Sequence, residues 1–203
     1  MSLSPDDHRR RILIQAFQMP SVQTMVSRKS SITNAFVSAI IPVIPPTHVE
    51  IEEALRILSV SPEDPRCAYC GDKPSEWDHL RPLVLNRRPT GFVSEIANLV
   101  PSCGKCNQSK GNKPWKEWML SNAKQSPTGR GLQGVAERAA RLDEYERWRV
   151  PTHVDFELVL GKERWQEYWL LCEKVIRELR DCQTVADALR EAIAASMQLG
   201  GAR

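Results

Sequence analysis

No stretch of this chain approaches the ~18 consecutive apolar residues that a membrane-crossing helix requires, which argues against a bilayer-spanning protein. The N-terminal Ser4-Pro5-Asp6-Asp7-His8-Arg9-Arg10-Arg11 mixes both charges ahead of a short apolar stretch, so the pattern of a cleaved export signal is missing too. There is no internal repeat and no low-complexity tract, which speaks against solenoids and biased linker proteins. Nor does one sign of charge dominate, the formal net charge being +3 over 203 residues. What remains is a globular chain long enough to bury an apolar core without disulfides, expected in the cytoplasm and away from membranes.

The small positive surplus has a location. From Arg66 to Leu120 there are nine Lys/Arg against five Asp/Glu, a balance of +4, while the rest carries nineteen against twenty, a balance of −1. A local surplus of this size is compatible with a phosphate backbone as partner, but it needs a site beside it to mean more than a solvated surface.

Three segments differ in texture. Residues 1–60 read as helices around a break. Ser4 to Asp7 offers a helix start, with Ile12, Leu13, Ile14 and Phe17 as its buried side, and Ile41 to Pro46 is an extended connector. Thr47 with Glu50 then forms a capping box for a short amphipathic helix through Ile51, Leu55 and Leu58, ending near Ser59. Residues 61–123 carry turns, paired cysteines and short apolar runs at Leu83 to Leu85 and Ile96 to Val100, expected as short strands followed by helix. Residues 124–203 return to helix after a stretch, Ser126 to Gly131, expected to be flexible. There Trp165, Tyr168, Trp169, Cys172, Val175, Ile176 and Leu179 share one face, and Thr184 with Asp187 is expected to cap a separate last helix through Leu189, Ile193 and Met197.

Four of the six cysteines fall as Cys67-x-x-Cys70-Gly71 and Cys103-Gly104-x-Cys106. Two-residue spacing lets a tight turn aim both sulfurs at one ion, and four thiolates in a tetrahedron are what a structural zinc site requires. The alternatives are unrelated reduced cysteines, or a redox dithiol, which two pairs without a βαβ context disfavour. Zinc held by four protein ligands keeps no open position, so it would hold the fold while chemistry came from elsewhere. The thirty-two residues between the pairs exceed the roughly 15 to 20 of a zinc ribbon, so something is built inside the loop.

Inside it stand Glu76-Trp77-Asp78-His79-Leu80-Arg81-Pro82 and Ala97-Asn98-Leu99, followed by Cys103 to Cys106, Asn107 and Lys110. From about Arg66 to Trp118 this order resembles the HNH endonuclease family: Cys-x-x-Cys, Asp-His, Asn-Leu, Cys-x-x-Cys-Asn and a lysine three residues on. The resemblance implies an α+β fold, a central ββα-metal module with a structural four-cysteine zinc site and helices on both sides. It implies phosphodiester hydrolysis in duplex DNA with Zn²⁺, one per chain, as a structural ion and Mg²⁺ or Mn²⁺ as the catalytic one.

Such hydrolysis needs an activated water and relief of charge on the phosphate. A histidine titrating near neutrality suits the first task, so His79 is assigned as general base. Asp78 and the Asn107 amide oxygen are the hard donors for Mg²⁺. Asn98 would brace the backbone carrying the histidine. Lys110, on the same side of a short helix as Asn107, is expected to contact a phosphate, and Arg81, Arg87 and Arg88 either do the same or face water. Consecutive strand residues point to opposite faces, so Asp78 and His79 can line one site only if the strand ends or bulges there.

His8, His48 and His153 are assigned no role, and Trp115, Trp118 and Cys172 are assigned to packing. A restriction or phage-defence nuclease is the favoured setting, a homing or nicking enzyme the neighbouring one, with the helical flanks gripping DNA or forming a homodimer. The contrasting class is a zinc-knuckle nucleic-acid-binding module without catalysis, which has no need for Asp78, His79 and Asn107 together. A toxin nuclease would bring a delivery region, and none is evident.

Overall fold

In the computed structural model, residues 20–200 are described, together with Asp6, Asp7, Arg9, Arg11, Leu13 and Phe17 ahead of them. The expected helix start at Ser4 and Pro5, with Ile12 and Ile14, lies outside the described residues. Leu13 and Phe17 are exposed instead of forming a buried side. The chain divides into two compact units, Ser30–Val175 and a smaller one made of Met1–Lys29 with Ile176–Arg203. In the smaller unit a single 3-10 turn, Met25–Arg28, is tied by a Met25 N–H bond to Gln183 Oε1 at 2.6 Å.

In chain order the elements are helices α1 (Lys29–Ile40) and α2 (His48–Leu58), strands β1 (Glu76–His79), β2 (Val84–Leu85), β3 (Arg88–Pro89) and β4 (Leu99–Ser102), and helices α3 (Gly104–Lys110), α4 (Trp115–Leu120), α5 (Val135–Trp148), α6 (Phe156–Leu160) and α7 (Lys162–Gly200). The fold is thus α+β. β1 pairs antiparallel with β4, placing Glu76 opposite Ser102 and His79 opposite Leu99. Helix α3 follows β4 directly, completing a ββα unit. Between the strands, β2 and β3 form a tight hairpin whose turn residues Asn86 and Arg87 have φ of 49° and 63°, the left-handed pair that a two-residue hairpin turn demands.

Local signals explain several boundaries. The Thr47–Glu50 capping box is formed, and α2 ends where Ser59 turns left-handed at φ 51°. The Ile41–Pro46 connector is extended and bonds to the loop before β4: Ser94 N–H donates to Pro42 O at 3.1 Å and Ile44 N–H to Ser94 O at 2.9 Å. Two expectations fail. Residues 126–131 are not a loose stretch: Ser126 is fully buried, its hydroxyl donating to Ser121 O at 2.6 Å, with Ala123 O also within reach at 2.9 Å, and accepting from Gly129 N–H at 3.0 Å. A Cβ on Gly129 would stand 2.1 Å from Ala123 O, so the turn closes only around glycine. Thr184 starts no new helix, because its hydroxyl donates back to Arg180 O at 3.2 Å, a bond that a helix interior supplies, and α7 runs on.

One apolar core holds the larger unit. Ala54, Ile57 and Leu58 of α2 and Ala139, Leu142 and Tyr145 of α5 pack with Trp115, Trp118 and Met119 around Tyr69, Leu80, Val100 and the four cysteines. The Tyr69 and Trp118 rings meet edge to face at 5.3 Å. No helix among the described residues is long and apolar enough to cross a membrane.

Candidate metal and hydrolytic site

The four paired cysteines converge. All are buried, and their sulfurs lie within 4.8 Å of one another, Cys70 and Cys103 at 3.6 Å. A tetrahedron of ligands at about 2.3 Å from zinc has edges close to this spacing. Local structure sets each pair. Gly71, at φ 82°, closes the first turn with its N–H on Cys67 O, and Ala68 N–H ties that turn to Pro101 O of β4 at 2.8 Å. Cys103 is the N-cap residue of α3, and Cys106 lies within that helix.

The electrostatics favour a dication. Hydrogen bonds from Cys106 and Cys70 hold the Cys67 thiol far below its usual range. The Cys106 thiol is pushed far up by its bonds to Cys67 and Cys70, then by burial. Four crowded thiols therefore resist full ionisation unless a cation arrives, and the donor set fits zinc. Arg130 adds positive charge beside the cluster, 4.0 Å from Cys106 Sγ and ion-paired with Asp72 at 3.2 Å. Among the described residues, no other group of His, Cys, Asp and Glu converges in this way.

The second constellation lies where β1 meets α3. β1 stays regular through His79, without a bulge, so Asp78 and His79 turn to different partners. Asp78 is 5% exposed and faces inward, where it accepts from the Tyr69 hydroxyl at 2.7 Å and pairs with Lys110 Nζ at 3.0 Å. Lys110 is fully buried, and its ammonium also donates to His79 O at 2.9 Å and Gly111 O at 3.2 Å. This corrects the expectation of a phosphate contact: spacing puts Lys110 on the side of Asn107, but that side is turned to the strand. Burial pushes the Asp78 carboxyl up and the Lys110 ammonium down, while the attraction between them acts against both shifts.

Asn107 is partly buried and donates from Nδ2 to Glu76 Oε2 at 2.6 Å. Strand alternation puts Glu76 on the same face as Asp78, and Asn107 reaches Glu76, so a divalent cation held by these oxygens would have to take the place of the Lys110 ammonium that now faces Asp78. Strand alternation could have found Glu76, two residues before Asp78, although it carries no motif.

His79, partly exposed, has Nε2 2.8 Å from Ser94 Oγ. Burial, then the Lys110 charge, brings its pKa down to about 4, so the ring is neutral at neutral pH. Asn98 is fully buried: its Oδ1 accepts from Arg81 N–H at 2.8 Å, and its Nδ2 donates to Arg81 O at 3.1 Å and Val93 O at 3.5 Å. It clamps the backbone two residues past His79.

The arginines divide. Arg81 pairs with Glu146 at 3.1 Å and lies over the Phe92 ring, and Arg88 pairs with Glu173 at 3.2 Å and lies over Trp169 at 4.6 Å. Both are therefore engaged within the protein, whereas Arg87 is exposed at the hairpin tip. Trp115, Trp118 and Cys172 are buried, as a packing role requires. Tyr69 and Ser94 were not singled out in the sequence, since neither belongs to a motif and both act through contacts formed only on folding.

Residues 67–113 match the model of the HNH endonuclease family. The chain is 30% identical over 148 residues to the CRISPR-associated endonuclease Cas9 of Corynebacterium diphtheriae, a match covering 68% of this chain and 12% of that relative, so it spans about an eighth of the relative's length. No solved structure matches.

Proposed function

Because residues 67–113 carry an HNH endonuclease domain, we propose that this chain is a metal-dependent endonuclease hydrolysing phosphodiester bonds in duplex DNA. The observation that supports it most is a partly exposed histidine at the end of β1, within the residues that match the family. Its neutral imidazole can take the proton of an attacking water, and the lowered pKa makes it a weaker base than the near-neutral histidine the sequence leads one to expect. Asn98 keeps the segment after the histidine in place, and Cys67, Cys70, Cys103 and Cys106 hold a structural zinc. Asp78, Asn107 and Glu76 would hold Mg²⁺ or Mn²⁺, which relieves charge on the phosphate when bound.

The nucleic-acid surface of this reading includes Arg87, Lys105 and Gln108, all exposed on the hairpin or on α3. The reading includes a restriction or phage-defence setting and, with it, a cytoplasmic location. Three segments, 1–60, 61–123 and 124–203, remain the proposed organisation. A homodimer through the helical flanks belongs to the same proposal: Val185, Leu189, Ile193 and Met197 recur every four residues along α7 and are each more than half exposed.

Plasmid cleavage tests it. Wild type with Mg²⁺ should cut, EDTA should abolish cutting, and His79→Ala should lower the rate by about 100-fold while DNA binding persists. Near-normal cutting by that variant sinks the mechanism, and binding without any cutting by wild type returns the chain to the class of zinc-knuckle binding modules.

A further inference from the structure

An imidazole accepts a proton most effectively when its other nitrogen carries the hydrogen and is held by a partner, because that bond fixes both tautomer and ring plane. The partner of His79 is Ser94, with Oγ 2.8 Å from Nε2. We propose that Ser94 is the positioning residue for His79: its hydroxyl oxygen accepts the Nε2–H bond and leaves the Nδ1 lone pair as the basic one. This rests on the reading of His79 as general base.

The surroundings of Ser94 hold its hydroxyl in place by means other than the histidine. Its N–H and C=O are both bonded to the Pro42–Ile44 connector. The same loop is pinned from the other side: Val154 N–H donates to Gly91 O at 2.8 Å, Thr152 N–H donates to buried Glu95, and the His153 ring lies so close over Gly91 that a Cβ there would meet it at 2.4 Å. Removing the hydroxyl therefore leaves the backbone where it is. Ser94 also borders an apolar cavity of about 280 Å³ shared with Ile44, Trp77, Ile96 and Leu99, space for the extra methyl of threonine. Segments before α2 and after α5 thus set the orientation of a group at the end of β1. If Ser94 instead donated its proton to Nε2, the hydrogen would sit on Nδ1 and the histidine would have no free lone pair for water.

The experiment uses the full zinc-loaded chain with ¹⁵N-labelled histidine, His79→Gln serving to assign the His79 signals. In wild type at neutral pH, His79 should show hydrogen on Nε2 with slowed exchange against water. Ser94→Ala should lose that slowed N–H signal and about tenfold in kcat on plasmid DNA with Mg²⁺, with KM within about twofold. Ser94→Thr should restore both. Hydrogen found on Nδ1, an unchanged signal and kcat in Ser94→Ala, or no restoration by Ser94→Thr overturns the proposal. Should wild type cut no DNA, the nuclease reading fails by itself while the nitrogen spectra still decide the Ser94 bond.

Discussion

Asn98→Ala is the sharpest perturbation of the clamp behind His79. The side chain is fully buried and satisfies Arg81 N–H at 2.8 Å and Arg81 O at 3.1 Å, with a longer third bond to Val93 O at 3.5 Å. A buried polar group left unpaired costs about 1–3 kcal/mol. Arg81 is only partly buried, so water can replace one of its two bonds. The expected loss is therefore about 2–4 kcal/mol, with the Leu80 N–H bond to Asn98 O at 2.8 Å still in place because it belongs to the backbone. Urea unfolding of the zinc-loaded protein measures the difference. Asn98→Asp separates the bonds: it keeps an acceptor for Arg81 N–H but sets a carboxylate oxygen against two carbonyls. Burial raises the pKa of such a carboxyl above its unfolded value near 4, so it is neutral in the folded protein at low pH and must charge or hold its proton as pH rises. Its deficit relative to wild type should grow from about pH 4 towards pH 7, while that of Asn98→Ala stays flat. A loss below about 1 kcal/mol for Asn98→Ala, or equal pH dependence in both variants, refutes the clamp.

Three further outcomes follow from the same geometry. Cys103→Ser should abolish zinc binding and, since a structural zinc contributes on the order of 10 kcal/mol, yield unfolded or insoluble protein; elemental analysis finding no zinc in folded wild type contradicts this. Lys110→Met should cost about 3–5 kcal/mol in urea unfolding because it leaves the Asp78 carboxylate buried with only the Tyr69 hydroxyl, and a cost under about 1 kcal/mol would mean that the pair is not buried in solution. With the His79 pKa lowered to about 4, the neutral, basic form prevails from about pH 5 upwards, so kcat/KM should be nearly level between about pH 5.5 and 8; an acid limb with its midpoint near 6.5 disproves the burial of the ring.

Features settled by neighbours in sequence were legible in it. The Thr47–Glu50 box and the end of α2 at Ser59 depend on a few adjacent residues, and both are present, while the two Cys-x-x-Cys pairs, each legible by its own spacing, are brought together across thirty-two residues. Features settled at a distance were not. Thr184 and Asp187 have the spacing of a cap, yet a helix already running through Arg180 offers the hydroxyl a carbonyl and no terminus. The polar, glycine-containing run at 126–131 has loop composition, yet Ser126 is buried because its hydroxyl closes the turn on Ser121 and Ala123. Helical spacing correctly aligned Lys110 with Asn107, but spacing does not say whether that side meets solvent or the Tyr69–Asp78 pair.

The same distinction bears on how much chain the site needs. The matched stretch, residues 67–113, contributes Tyr69, Leu80 and Val100 to the core, but the side chains that cover them come from outside it: Ala54, Ile57 and Leu58 before, Trp118, Leu142 and Tyr145 after. Polar contacts follow the same route. The Tyr145 hydroxyl donates to Leu99 O at 3.0 Å, Arg138 Nε donates to Tyr69 O at 2.9 Å, and the connector before α2 holds the Ser94 backbone. A two-stranded sheet with one short helix buries too little apolar surface to stand alone, and a zinc ion on the four cysteines would close only one end of it. The positions of His79 and Asn98 are therefore properties of the whole Ser30–Val175 unit, and the helices around the motif are part of the machinery that orients it.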